Sequence, residues 1–376
     1  MGRPRKYLHD AHGFVRDYTA GLNIRDFRRM FGEEATKAYR VLSRDQEKPP
    51  TDEDEVTGFF RRAKIVFLGI SHKLSPARRL IFTLSVLLTF LGLLGGKEFS
   101  WGGEAASVSV GTGSFFLISA VCGFAYLFIM ELVDRVRVRD ELEVARQLQA
   151  DLLPQRAPKV VGYSFAHSYR TANEVGGDYY DISPLPDGRL ALVIGDASGH
   201  GIAAGLLMAI ANATLKTALE VDPAPDKVAQ LLNSTLFRTG DRRAFMSLFY
   251  GLLEPDSGNL DYVCAGHPFP MQRTKINEVV ELGSGALPLG MRPELELEVR
   301  RTVLEPGEAI LFFTDGLPEA LDDQERSFGF PRLTEMVGRV GTAAQLHDAI
   351  VRAFKSHVGN LDVGDDVTLL VVSRSS

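Results

Sequence analysis

Cysteine is scarce in this 376-residue sequence: only Cys122 and Cys264 occur, far apart and in unlike surroundings. With no paired ligand spacing around them, a disulfide framework and a structural zinc site are excluded. Neither lies in a nucleophile motif, so nucleophilic catalysis by a thiol is not expected. An excess of basic charge is also missing. The 42 Lys and Arg residues face 48 Asp and Glu, a net charge of −6, which argues against general nucleic-acid binding. There is no P-loop and no dinucleotide-binding glycine fingerprint. The first 60 residues are polar and charged, and no cleavable signal peptide is expected in them.

What is present is enough for more than one folded domain, with 45% apolar and 24% charged residues. Residues 1–60 form a polar region with one amphipathic helix expected over 23–42. There Ile24, Phe27, Phe31, Ala35 and Tyr39 recur at helical spacing. Residues 46–55 (QEKPPTDEDE) read as a linker.

Residues 80–96 (LIFTLSVLLTFLGLLGG) carry no charge and are apolar on every face, near the lower limit of about 17 residues for a bilayer span. A second such run, SFFLISAVCGFAYLFIM, lies within 108–133 and ends at Glu131. Neither has the polar stripe of a soluble surface helix, so a two-span hairpin over 61–133 is expected. Arg61, Arg62, Lys64, Lys73, Arg78 and Arg79 precede the first run, and Arg135, Arg137 and Arg139 follow the second. The intervening loop holds only Lys97 as a cation, with Trp101 as an interface anchor. By the positive-inside rule both termini are expected in the cytoplasm, as in a multi-pass membrane protein. The second span continues into a linker helix over 134–154 that Pro154 stops. Val138, Leu142, Ala145 and Leu152 fall at heptad-like intervals, with Gln149 as the polar exception. Such a helix can be a passive stalk, or it can transmit a rotation or a change of dimerisation.

From residue 155 to 376 the texture changes to short strands around a helical middle, the pattern of an α+β domain. Strands are expected at 190–194, 245–252, 260–265, 309–313 and 367–372. Helices are expected at 202–220, 226–238, 330–340 and 343–357. The stretch 174–201 (EVGGDYYDISPLPDGRLALVIGDASGHG) reads as a hairpin-like unit with Asp178 and Asp196 near its strand ends. Asp315 in FFTDGLP and Asp365 in GDDVTLLV add two further strand-end carboxylates. Any one Asp-Gly alone reads as a turn. Four carboxylates in one cleft repel unless cations neutralise them, and oxygen ligands on strand edges suit Mg²⁺ or Mn²⁺.

The segments EVGGDYYD, GDASGHG, FMSLFYG, YVCAGHPFP, ALPLG, FFTDGLPEA and GDDVTLLVV occur in the order found in the metal-dependent PPM protein phosphatases. Together they resemble the SpoIIE/RsbU-like bacterial branch, over residues 145–373. The resemblance implies a β-sandwich flanked by helices, with two Mn²⁺ or Mg²⁺ ions in a cleft at one end. Carried over by motif, Asp196 bridges both ions, and Asp178 and the Ala197 carbonyl hold one. Asp315 and Asp365 hold the other, while Asp366 points elsewhere. Asp178 and Asp196 are the residues expected to be catalytic, in a metal-assisted hydrolysis of phosphoserine or phosphothreonine without a covalent phosphoenzyme. His200 and His267 are expected to be structural. Arg170 is a candidate phosphate contact, and Glu174 either orients water or caps a turn.

The resemblance further implies a regulatory phosphoprotein as substrate, such as a STAS-type anti-sigma-factor antagonist; the two apolar runs make the lipid bilayer a partner, and the linker helix is where a second copy is expected. No nucleic-acid partner is expected. The competing reading is an inactive phosphatase-like module that binds a phosphoprotein. Its signature is a lost metal ligand, and all four aspartates are present.

Overall fold

The structure is a computed structural model. It describes residues 55–94, 98–103, 106–239, 244–339, 341–359, 361 and 363–375. The helix expected over 23–42 and nearly all of the linker over 46–55 lie outside these residues, as does Lys97. The chain divides into two compact units, Met1–Val136 and Arg137–Ser376.

In the first unit, α1 (Glu55–Lys73) precedes α2 (Pro76–Leu94). Pro76 takes the first helical position, where its missing N–H costs nothing. Helix α1 was not expected from the sequence, because the basic residues of 61–64 read as a flank rather than as part of a helix. The loop after α2 contains a two-stranded antiparallel hairpin, β1 (Glu98–Gly103) and β2 (Ala106–Gly111), which takes up residues 108–111 of the second apolar segment. Helix α3 (Thr112–Leu152) then runs unbroken for 41 residues. Small side chains bring α2 and α3 together. A Cβ on Gly92 would lie 2.6 Å from the Leu117 side chain, and one on Gly123 would lie 2.1 Å from Ser85 Oγ. Large apolar side chains cover the outer faces, among them Leu80, Phe90, Phe115 and Phe128. Both helices are long and apolar enough to cross a membrane. A third helix meets the same measure, α4 (Ile202–Val221), but it buries Leu207, Met208, Ala211 and Leu215 in the second unit's core.

The second unit is a sandwich of two five-stranded antiparallel sheets. One sheet has the order β10 (Arg300–Val303), β7 (Asn259–Ala265), β6 (Met246–Leu253), β5 (Leu190–Ala197) and β4 (Asp178–Pro184). The other has the order β3 (Tyr163–Arg170), β12 (Val367–Arg374), β11 (Ala309–Phe313), β8 (Met271–Arg273) and β9 (Val279–Glu281). Helices α4 and α5 (Pro225–Thr239) cover the first sheet, and α7 (Phe330–Arg339) and α8 (Ala343–Val358) the second; the one-turn α6 (Gly316–Glu319) follows β11.

Strand alternation sorts the second sheet's side chains into two cores. Ile310, Phe312, Leu370 and Val372 face the first sheet, whereas Leu311, Phe313, Leu369 and Val371 face α7 and α8. Residues 190–194 form a continuous buried run because β5 is covered on both faces. This is the expected sandwich flanked by helices. The expected helices at 202–220, 226–238, 330–340 and 343–357 appear within two residues at each end.

Candidate active site

The β4–β5 hairpin turns at Asp187-Gly188, with Gly188 in the left-handed region (φ 87°) and the Asp187 carboxylate accepting from Arg189 N at 3.0 Å. That turn sets a register in which Asp178 stands directly opposite Asp196 at the far end. The strand extends beyond the expected 190–194 and carries Asp196 and Ala197 within it. Asp315 follows β11 and begins α6, and Asp365 lies two residues before β12. Each predicted carboxylate thus sits at a strand end, two from each sheet.

Asp178 ties the two sheets together. Its Oδ2 accepts from Thr314 Oγ1 at 2.7 Å and Thr368 Oγ1 at 2.6 Å, and the side chain is 1% exposed. Asp366 turns away from Asp365, accepting from Ala172 N (2.8 Å) and Gly177 N (2.6 Å). Gly177 O accepts from Ala197 N at 3.1 Å. The close approach requires glycine: a Cβ on Gly177 would lie 2.7 Å from the Ala197 carbonyl oxygen and 3.0 Å from Asp196 Oδ1. Likewise a Cβ on Gly316 would lie 2.0 Å from the Asp366 carbonyl oxygen.

Burial pushes the Asp178 carboxyl well above the usual range, and Asp196 pushes it further. Asp196 is raised to about 8, first by burial and then by Asp315, Asp365 and Asp366. Asp315 is raised by burial and by Asp365. Carboxylates from both sheets therefore share one field of mutual repulsion, which bound divalent cations relieve. Among the described residues, no three or more His, Cys, Asp or Glu side chains are gathered into a ready-made metal cage. The fit to a hard cation lies in the donor chemistry instead: oxygen-only donors, raised pKa values at Asp178, Asp196 and Asp315, and a backbone carbonyl at the same strand end.

Other candidates fall outside this cluster. Arg170, Glu174 and His200 are exposed. His267 is buried, its Nδ1 lies 3.0 Å from Ser247 Oγ, and burial lowers its pKa to about 3, so it stays neutral. The Tyr169 hydroxyl is buried beside Gly176 with no hydrogen-bond partner among the described residues. Sequence reasoning missed the support from α3. Gln149 Nε2 donates to Gly176 O at 2.6 Å, and Gly176 N donates to Gln149 Oε1 at 3.0 Å. The one polar side chain on the heptad-like stripe is thus 5% exposed, while Val138 is 55% exposed. The signal was Gln149's polarity itself.

The family model described as stage II sporulation protein E matches residues 186–375. The chain belongs to the SpoIIE family. Its SpoIIE-type relatives include Protein IcfG of Synechocystis sp., 27% identical over 279 residues, covering 66% of this chain and 44% of that protein. The phosphoserine phosphatase RsbU of Bacillus subtilis is 25% identical over 272 residues, covering 69% of this chain and 78% of RsbU. The chain thus spans less than half the length of IcfG. Among solved structures, the SiaA-PP2C domain of Pseudomonas aeruginosa superposes with a TM-score of 0.56 at 20% identity, over 65% of this chain and 99% of that domain. The RsbU and RsbW domains of Rv1364c from Mycobacterium tuberculosis give a TM-score of 0.52 at 29% identity, over 58% of this chain and 63% of that one. The SpoIIE-type unit therefore has the PP2C fold.

Proposed function

We propose that residues 155–376 form a metal-dependent protein serine/threonine phosphatase, held at the bacterial inner membrane by α2 and α3 over the hairpin 61–133. The observation that carries this reading is the pair Asp178 and Asp196, facing each other across β4 and β5, with Asp196 in the field of Asp315 and Asp365 from the other sheet, in a chain whose relatives include named phosphoserine phosphatases. Asp196 would bridge two Mn²⁺ or Mg²⁺ ions. Asp178 and the Ala197 carbonyl would hold one, and Asp315 and Asp365 the other. Such ions, when bound, supply a water of lowered pKa and offset charge on the phosphoryl oxygens. The chain's own part is to hold the carboxylates ready. Thr314 and Thr368 fix Asp178, Asp366 fixes the 172–177 loop, and Gln149 fixes Gly176.

The substrate class we favour is a regulatory phosphoprotein of the STAS-type anti-sigma-factor antagonist kind. The linker helix over 134–154 would report a signal to the site through Gln149. A homodimer through that helix is supported by Val144, Leu148 and Leu152, which stand exposed at i, i+4, i+8 spacing. The phosphatase domain and both termini would lie in the cytoplasm.

The test is Mn²⁺-dependent phosphate release from a phosphoserine protein by the purified chain in detergent, with Asp196→Asn alongside. Turnover that disappears in the variant and with chelator is the expected result. A folded, inert wild type would favour the competing reading, a phosphoprotein-binding module.

A further inference from the structure

Beside the acidic cluster, a groove of about 490 Å³ runs along α6 toward the chain that leads into β12. Gly316 and Asp365 line it, so it is continuous with the candidate active site. Val358 and Val363 give it a buried apolar floor, and Leu321 and Leu361 stand on its rim at 52% and 44% exposure. Large apolar side chains left in water around a cavity call for an apolar counterpart.

The charged residues lining the groove are all acidic: Glu319, Asp322, Glu325 and Asp365. Asp322 is used internally. It accepts from the backbone N–H groups of Gln324 and Arg326 at 2.9 Å and pairs with the Arg326 guanidinium at 2.7 Å. These bonds, with the Leu321–Ser327 bridge, fix the turn that carries Glu325. Among the described residues, no ion pair engages Glu319 or Glu325.

We propose that this groove holds the substrate chain next to its phosphorylated residue and selects a lysine or arginine there. The inference rests on the phosphatase reading above and names the substrate feature that this site reads. The aliphatic stem of a long basic side chain lies along Leu321 and Leu361, and its charged head meets Glu319 and Glu325. An acidic neighbour at the same place is repelled by the rim, so the groove discriminates by rejection as well as attraction.

The experiment uses the full chain in detergent with Mn²⁺ and three substrates. Two are phosphoserine peptides alike except that the residues flanking phosphoserine are lysine in one and glutamate in the other. The third is p-nitrophenyl phosphate, which has no flanking chain. The lysine peptide is expected to exceed the glutamate peptide in kcat/KM by about tenfold at low salt, and the ratio shrinks as salt rises. Glu325→Lys is expected to abolish the preference while p-nitrophenyl phosphate turnover stays unchanged. Lysine makes the same backbone demand as glutamate at φ 60°, so the variant should fold alike. Leu361→Ser, a second variant, raises KM for the lysine peptide and leaves the aryl phosphate unaffected. Equal kcat/KM for the two peptides, or a preference that survives Glu325→Lys, would overturn the groove's role and leave the phosphatase reading standing. Equal values are also what a second copy, or residues 1–54, filling the groove would give. No turnover of any of the three substrates would overturn both.

Discussion

Asp196 concentrates the electrostatic tension of the site. Its folded pKa of about 8 lies far above the ordinary carboxylate value of about 3.9. A carboxyl raised in the folded state stabilises fully below its unfolded pKa, and that stability is lost as pH rises through the folded one. In metal-free protein the stability that protonated Asp196 contributes should therefore be lost between about pH 4 and about pH 8. Mn²⁺ should restore it, and Asp196→Asn should flatten the slope in chelator; melting curves across that range check this. Gly316→Ala is the steric counterpart. Its Cβ would sit 2.0 Å from a backbone oxygen, which has no flexible end to yield, so the melting temperature should fall whatever the metal content. The four carboxylates were legible in the sequence because each follows or precedes an apolar run beside glycine. Thr314 and Thr368 were not singled out, although both lie inside the quoted motifs. A hydroxyl's hydrogen bond across two sheets has no spacing signature in the chain.

At the scale of the element, α3 is the least legible part of the site. Its heptad-like stripe pointed to a partner helix, yet the buried position on it is Gln149, paired to both polar groups of the Gly176 peptide. Gln149→Leu would leave that buried N–H and C=O unpaired, at about 1–3 kcal/mol each. It should also weaken Mn²⁺ affinity or turnover by about 10–100-fold, the usual loss when support behind a ligand loop is removed. Gln149→Glu keeps the acceptor and loses the donor, so an intermediate effect is expected. Steady-state kinetics across a Mn²⁺ titration reads both variants. The sandwich strands were easier to read, since buried runs such as 190–194 need no partner to be recognised. Edge strands β9 and β10 were missed because half-exposed short strands lack that apolar continuity.

At the scale of the whole molecule, three helices are long and apolar enough to span a membrane, and burial in the folded chain distinguishes them. Helix α4 is as apolar as a membrane span by length and composition, but its buried stripe belongs to the sandwich. Deleting residues 61–133 should therefore move the protein from the membrane pellet to the soluble fraction, and fractionation followed by immunoblotting checks this. In the proposed site, carboxylates from two sheets jointly hold two divalent cations. Isothermal titration of Mn²⁺ into the purified protein tests it directly, with Asp178→Asn and Asp315→Asn compared. Two ions per chain are expected in the wild type, with one site lost or greatly weakened in each variant. Wild-type protein that takes up no Mn²⁺, or variants that bind it as the wild type does, would rule out the shared two-ion site.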